Sequence, residues 1–354
     1  ESLRQRIAQA RSESQGLQAE PEAPIDSLLI GRSFRDLVLH GLSSNQAWLV
    51  LAGLLGVYSQ LPQSLNIGAE SILALMPESV LESTGSQIFI VGLLLFAIGL
   101  ILMLGLSVLA SLFIYANFQL HRVPEGFTVG HGALSRRELT VRQRRIQTVV
   151  IQQNWIASYF CRFNVKFEQI SHGQGGADGE QKWLVPAVTM TQSQSLVESA
   201  LDFSQASIEA GSYGRVSTLY LRKRVYWLAL IFLITVPVTV MNFSQWVLLV
   251  PSAVLALLGW AAYRAWQILG VAVHQGHLVL RTGLIGRSYV VVPLSKVQRV
   301  KTTQTPFMRR RRVVHLRLAL ASRVVTLPYL PVQTAQQLAD YTLYLVEARP
   351  KSWM

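Results

Sequence analysis

The sequence predicts an α+β membrane protein in which transmembrane helix pairs alternate with two small domains, each a β-barrel or sandwich capped by a C-terminal helix. Three observations predict it. Long apolar runs carry no Lys or Arg. The basic residues fall into three blocks separated by those runs. The segment that follows each pair of runs recurs along the chain.

A spanning helix needs ~20 mostly apolar residues. Residues 88–115 (IFIVGLLLFAIGLILMLGLSVLASLFIY) exceed that. Residues 47–61 (AWLVLAGLLGVYSQL) are shorter and borrow from the flank 42–46. Residues 225–241 and 246–263 form a second pair around the tight turn Asn242-Phe243-Ser244-Gln245. Pro237 and Pro251 fall inside it, as membrane helices tolerate where neighbours satisfy the freed carbonyls. Trp48, Tyr115, Tyr226, Trp227, Trp246, Tyr263 and Trp266 sit near the ends, where aromatic belts lie.

No Lys or Arg occurs between Arg35 and Arg122, or between Arg224 and Arg264. Short cytoplasmic segments retain positive charge and translocated loops do not, so both termini are expected inside and residues 62–87 outside. That loop carries Glu70, Glu78 and Glu82 and no base. The expected organisation is a cytoplasmic segment at 1–41, a helix pair at 42–116, a domain at 117–215, a helix pair at 222–268 and a domain at 271–347. Residues 1–25 read as the tail of a further upstream copy.

Composition sets bounds on function. The chain has 354 residues, 51% apolar, with net charge +13. One cysteine, Cys161, excludes an intrachain disulfide and a multi-cysteine metal site, and reads as a packing residue. The four expected spans contain no Asp, Glu, Lys, Arg or His, the groups that ion and proton pathways use.

Shifting the chain by 151 positions aligns residues 132–171 with 283–322 without a gap. Identities include Gly132/Gly283, Arg136/Arg287, Gln147/Gln298, Val149/Val300 and Gln153/Gln304. Phe163, Val165 and Phe167 match Val314, Leu316 and Leu318 with polar residues between, the period of a half-buried strand. The first copy then carries a Gly-rich hairpin insert, His172–Glu180, beyond which the copies realign at a shift of 142: Pro186/Pro328, Gln194/Gln336, Leu196/Leu338. Thr334 is the expected N-cap of the last helix, with Leu338, Tyr341, Thr342 and Leu345 at helical spacing. Glycines 132 and 283 mark hairpin turns.

The run Gly283-Leu284-Ile285-Gly286-Arg287, then Val292-Pro293-Leu294-Ser295-Lys296-Val297-Gln298, then Leu327-Pro328 and a closing helix, resembles the bacterial pleckstrin-homology-like (PH-like) domain. More narrowly the chain is similar to the membrane-flanked type, the YdbT-like proteins, in which such domains alternate with pairs of membrane helices. The resemblance covers about 120–205 and 271–347. The first copy departs at Arg142, which stands where the second has Pro293, and in its insert. The resemblance implies a seven-stranded, partly open barrel closed by a helix, no catalytic residue, no cofactor, and contact with lipid surfaces or proteins.

Two arginine clusters are candidate contacts. Arg309, Arg310, Arg311 and Arg312 form the densest run, expected in a loop or at a strand start. Near anionic headgroups each could gain ~1 kcal/mol. The bland alternative is a solvated face obeying the positive-inside bias. Arg136, Arg137, Arg142, Arg144 and Arg145 form the second cluster, with Arg142 and Arg144 expected on one strand face. Residues 264–354 carry +12 and residues 116–224 carry +5, so the last domain should prefer anionic surfaces. His274 and His277 are expected on opposite sides of one strand start, which argues against a metal site. No nucleophile elbow or phosphate-cradling glycine loop is present. Nucleic acid is not an expected partner, because stacking aromatics are not interleaved with the arginines.

The reading is a non-enzymatic scaffold of the bacterial cytoplasmic membrane, touching anionic headgroups, another membrane protein or itself. The alternative is a component of a transport or export complex. In a Cys161→Ser background, a cysteine at Ser79 is expected to react with an impermeant reagent from outside and one at Ser322 from inside; the reverse labelling overturns the topology.

Overall fold

The computed structural model describes residues 27–44, 85–133, 137–170, 180–203, 208, 213–242 and 249–348. The expected span at 47–61, most of the acidic loop, Arg136, and residues 172–179 of the glycine-rich insert lie outside them.

Two units of one design follow each other along the chain. The first begins with β1 (Ser27–Gly31) and α1 (Phe34–Ser43). Helix α2 (Gly85–Ile114) realises the longest apolar run. Among the described residues it is the one helix long and apolar enough to cross a membrane; its residues 97–114 have mean hydropathy 2.6. Strands β2 (Gln119–Val123), β3 (Gly126–His131) and β4 (Arg137–Arg142) follow, then β5 (Ile146–Gln152), helix α3 (Trp155–Tyr159), β6 (Phe163–Ile170), β7 (Glu180–Val188) and the closing helix α4 (Met190–Leu201).

The second unit repeats the order. Strand β8 (Gly214–Arg215) precedes the apolar helices α5 (Leu219–Asn242) and α6 (Leu249–Ile268). Then come β9 (Gly270–His274), β10 (His277–Gly283), β11 (Arg287–Pro293), β12 (Arg299–Thr303), helix α7 (Pro306–Arg310), β13 (Val313–Ala319), β14 (Val324–Pro331) and α8 (Val332–Glu347).

Among the described residues each domain thus has seven strands, four in one antiparallel sheet and three in the next. The first of the seven precedes the helix pair in sequence: β1 pairs with β2, and β8 with β9. Strand β8 falls inside the stretch read as the first domain, yet its pairing belongs to the second. The matched alternation buries the expected side chains. Val165 and Phe167 on β6, like Leu316 and Leu318 on β13, are fully buried.

The repeat extends to backbone conformation. Cys161 and Arg312 both take left-handed φ, at 50° and 51°, and so do Ala187 and Tyr329, at 48° and 52°. Side chains rarely adopt that region unless the surroundings hold them there. A bulged residue does so in each copy. Asn164 Oδ1 accepts the Ala187 N–H at 3.0 Å. His315 Nδ1 accepts the Tyr329 N–H at 3.2 Å. An imidazole that accepts is neutral, and burial, with Arg317 and Lys223 nearby, lowers the His315 pKa.

The two domains are one sheet at their junction. Strand β5 pairs with β11 from Val149↔Val291 to Gln152↔Ser288, giving the continuous order β7-β6-β5-β11-β10-β9-β8. The cores interlock across it. Val150 of the first domain packs in the second core, and Val279, Tyr289 and Val291 of the second pack in the first. Two polar links add to this. Lys296 Nζ donates to the carbonyls of Arg144, at 3.1 Å, and Ile146, and burial lowers its pKa to about 8. Arg323 pairs with the buried Glu168 at 3.1 Å.

The sequence marks the junction by contrast. At the repeat positions equivalent to Val150 and Ile151, strand β12 has the exposed residues Lys301 and Thr302. The buried β5 is apolar where β12, an edge strand, is charged, as edge protection requires.

Two expectations need correction. Thr334 lies inside the first turn of α8, because the helix begins at Val332, directly after Pro331 ends β14 with ψ of 140° and serves as the N-cap. Ser322 is 1% exposed, so the inside labelling arm belongs at an exposed position such as Lys301.

Val150→Lys, which copies the β12 residue into the junction, places an unpaired charge in an apolar core and should cost several kcal/mol. Thermal unfolding of the purified protein should show both domains melting together at lower temperature. Two transitions, only one of them shifted, would show that the domains are energetically separate.

Candidate membrane-contact site

Helix α1 joins the apolar helix α2 to the first domain. A Cβ on Gly41 would lie 2.5 Å from the Val108 Cα, so only glycine permits this approach. Ser107 Oγ donates to the Gly41 carbonyl at 2.7 Å and Ser111 Oγ to the Leu37 carbonyl at 2.8 Å. Small and hydroxylated residues are the usual means of close helix packing in membranes.

On its other side α1 is held by the domain. Arg32 Nη1 donates to the Ala187 carbonyl and to Gln192 Oε1, at 3.3 and 3.1 Å. The His40 ring, 2% exposed, bonds Asn164 Oδ1 through Nδ1 at 2.9 Å and lies edge-on to Tyr115. Asn154 Nδ2 donates to the Ser43 carbonyl. Helix α3, which begins at the next residue, is therefore level with the end of α1. The second domain meets α5 at the corresponding end, where Tyr220 lies edge-on to Tyr329. Both domains thus have a helix-bearing end and an opposite end.

The arginines at 309–312 lie at the helix-bearing end. The repeat shift of 151 places α7 where the first domain has α3. Thr305 Oγ1 caps α7 by accepting the Met308 N–H at 3.4 Å, and Pro306 sits at its first position. Met308 is buried and anchors the turn; Phe307 is 79% exposed. Arg309 and Arg310 end the helix, Arg311 is its C-cap, and Arg312 takes the left-handed conformation. All four are exposed. The expected loop is a capped helical turn that presents a phenyl ring beside four guanidiniums.

The second cluster is divided between the two ends: Arg137 pairs with His131, whose ring bonds the Ile114 carbonyl at the end of α2, and the other described arginines lie at the opposite end. Arg137 begins β4, Arg142 ends it, and Arg144 and Arg145 lie in the 3-10 turn Gln143–Arg145. Arg142 and Arg144 therefore share no strand face, because the turn breaks the alternation. Arg142 pairs with Glu125 at 3.3 Å, both exposed. The turn lies a strand length away from α3, at ~3.3 Å per residue along β5. There Arg144 lines a groove of about 850 Å³ with Lys296, His277, Glu125 and Asp202, a mixed rather than a cationic lining.

His274 and His277 also differ from expectation. They face each other across the two-residue turn Gln275-Gly276, and both rings lie against Phe203. The three-residue spacing belongs to a hairpin, not to one strand. Cys161 is exposed rather than packed, because its left-handed φ directs it outward after α3.

Sequence reading missed Phe307 and, on α3, Trp155, Tyr159 and Phe160, all exposed. The repeat carried a partial signal: Ile156 matches Phe307 between strands, where loops are usually polar, while Tyr159 and Phe160 match arginines.

Fold and site together define a tandem of PH-type domains, the first following the apolar helix α2 and the second the apolar pair α5 and α6. The bacterial PH domain model matches residues 74–203 and 225–346, so the chain belongs to the bacterial PH domain family. The chain is similar to the UPF0699 transmembrane protein YdbT of Bacillus subtilis (strain 168), 24% identical over 231 residues, 64% of this chain and 45% of that protein. It therefore spans less than half the length of that relative. No solved structure matches it significantly.

His40 makes the helix–domain joint sensitive to pH. Burial lowers its pKa from the ordinary 6.5 to about 4; the Asn164 bond opposes this, while Lys166 and Arg32 add to it. The unfolded chain binds the proton first, so stability is complete above pH 6.5 and falls as the pH drops toward 4. The gap corresponds to on the order of 3 kcal/mol. Thermal unfolding of His40→Gln should depend less on pH across that window than the parent. Equal slopes would remove His40 from the effect.

Proposed function

We propose that this chain is a non-enzymatic scaffold of the bacterial cytoplasmic membrane. It crosses the membrane several times, with both termini inside and its PH-like domains under the inner leaflet, where they contact anionic headgroups. The family membership, the apolar helix α2 and the transmembrane designation of the similar Bacillus protein support a membrane location. The charge partition of the sequence supports the orientation.

The observation that carries the headgroup reading is α7, with four exposed arginines and an exposed phenylalanine at the end from which the helices leave. Guanidinium forks match phosphate geometry, and each near the surface contributes ~1 kcal/mol. A partner membrane protein, or a second copy, is the competing occupant of this end. A transport or export component is the alternative role; the lack of ionisable residues within 97–114 weighs against a charge pathway there.

The full chain, reconstituted in nanodiscs, should melt at higher temperature as anionic lipid replaces zwitterionic lipid. With Arg309–Arg312 changed to Gln, that lipid-dependent rise should disappear while the melt in zwitterionic lipid stays unchanged. The rise should also shrink with salt, because exposed charges are screened beyond ~8–10 Å. An equal rise in parent and variant would reject the headgroup role of α7.

A further inference from the structure

We propose that α3 of the first domain and the β10–β11 turn of the second form an uncharged apolar wedge seated in the headgroup–acyl boundary of the bilayer. The inference rests on reading the helix pairs as membrane spans. It concerns a different surface from α7 and a different force.

Height along α2 argues for it. Asn154 Nδ2 reaches the Ser43 carbonyl, and Ser107 Oγ reaches the carbonyls of Gly41, at 2.7 Å, and Ser44, at 3.3 Å. Helix α3 is therefore level with Ser107. That residue lies seven positions (114 − 107) inside the apolar stretch Ala97–Ile114, counted from its domain end. At 1.5 Å per residue this is ~10 Å, the depth to which interfacial elements enter the boundary. An element held at that level beside a spanning helix meets lipid.

Its surface suits that location. Trp155 is 63% exposed, Tyr159 83% and Ile285 57%, with Phe160 and Leu284 also exposed. No charged residue occurs from 146 to 161, or from 282 to 286. Tryptophan and tyrosine favour this depth, where the ring meets apolar chains and the polar edge meets water. A solvated loop would be polar, and an electrostatic contact would carry bases.

The two parts come from different domains and are fixed together. A Cβ on Gly286 would lie 1.8 Å from the Gln153 carbonyl oxygen, so the turn is seated on the backbone that leads into α3. The Gln153 N–H donates to the Arg287 carbonyl at 2.9 Å. Trp155 and the Leu284-Ile285 tip flank one groove of about 370 Å³. The β5–β11 pairing that merges the sheets thus also builds the wedge.

The test uses the full chain in nanodiscs of purely zwitterionic lipid at high salt, which silences the α7 contribution. A nitroxide is placed at Tyr159→Cys in a Cys161→Ser background, at native Cys161 in the unmutated chain, and at Arg145→Cys, Cys161→Ser as the opposite-end control. Collisions with oxygen should dominate over those with a water-soluble nickel chelate at 159 and 161, and the order should reverse at 145. Nickel dominating at 159 and 161 as it does at 145 would overturn the proposal. So would lipid exposure that appears only with anionic lipid at low salt, which would mean electrostatic hovering. Labels shielded from both reagents would also overturn it, in favour of a protein covering the wedge. A lipid-exposed label with no lipid dependence at Arg309–Arg312 would remove only the α7 reading; the converse would remove only this one.

Discussion

Strand β5 contributes hydrogen bonds to β11 across the domain boundary, and almost every other spatial relation in the molecule follows from that pairing. Because side chains alternate across a sheet, a one-residue slip would turn Val149 and Ile151 away from the first core and Val150 away from the second. The register is therefore held from both sides, and the two domains cannot rotate independently. Lys296 and Arg323 reinforce the same boundary, each bringing a charge from the second domain to a buried acceptor of the first. Breaking such a contact by removing one partner strands the other without solvent, so these links fix position more than they add stability.

The merged sheet also sets the polarity of the body. Strands β5 and β12 both run from a 3-10 turn at the opposite end to a short helix at the helix-bearing end. Arg142, Arg144 and Arg145 of the first repeat lie at the former, while Arg137 lies beside the end of α2. At the latter, one copy presents aromatic rings and the other arginines. Two copies of one scaffold have diverged in the two surface properties, apolar and cationic, that a membrane recognises separately. Fold conservation with site divergence is the ordinary condition of repeated domains.

Much of the fold was legible because it rests on periodicity. The 151- and 142-residue shifts located both domains, and alternation at 163–167 and 314–318 identified the strands whose side chains prove fully buried. The first strand of each domain was not legible. Ser27–Gly31 and Gly214–Arg215 are too short for a pattern, and their partners lie beyond a helix pair. The β5–β11 pairing escaped for a related reason: residues 146–152 read as any buried strand, and only comparison with Arg299–Thr303 shows that one copy is covered on an edge where the other is not. At the candidate site, sequence found the arginines at 309–312 through charge density, which needs no geometry. It missed Trp155 and Tyr159 because exposed rings are distinguished from buried ones by position alone. It grouped Arg142 with Arg144 because a three-residue 3-10 turn leaves no signal in composition.

The placement of β1 and β8 ahead of the helix pairs has a consequence for how the chain is made. Strand β1 leaves the ribosome well before β2, with residues 32–118 between them. The loop so closed is long, but closure entropy grows only as the logarithm of length, so the delay is one of time more than of free energy. Until α2 is made, β1 lacks its partner β2 and α1 lacks the Ser107 and Ser111 hydroxyls that receive it. Completion of each four-stranded sheet thus waits on everything synthesised between its first two strands. A nascent chain stalled before that point would display open sheet edges of the kind that proteases and chaperones recognise.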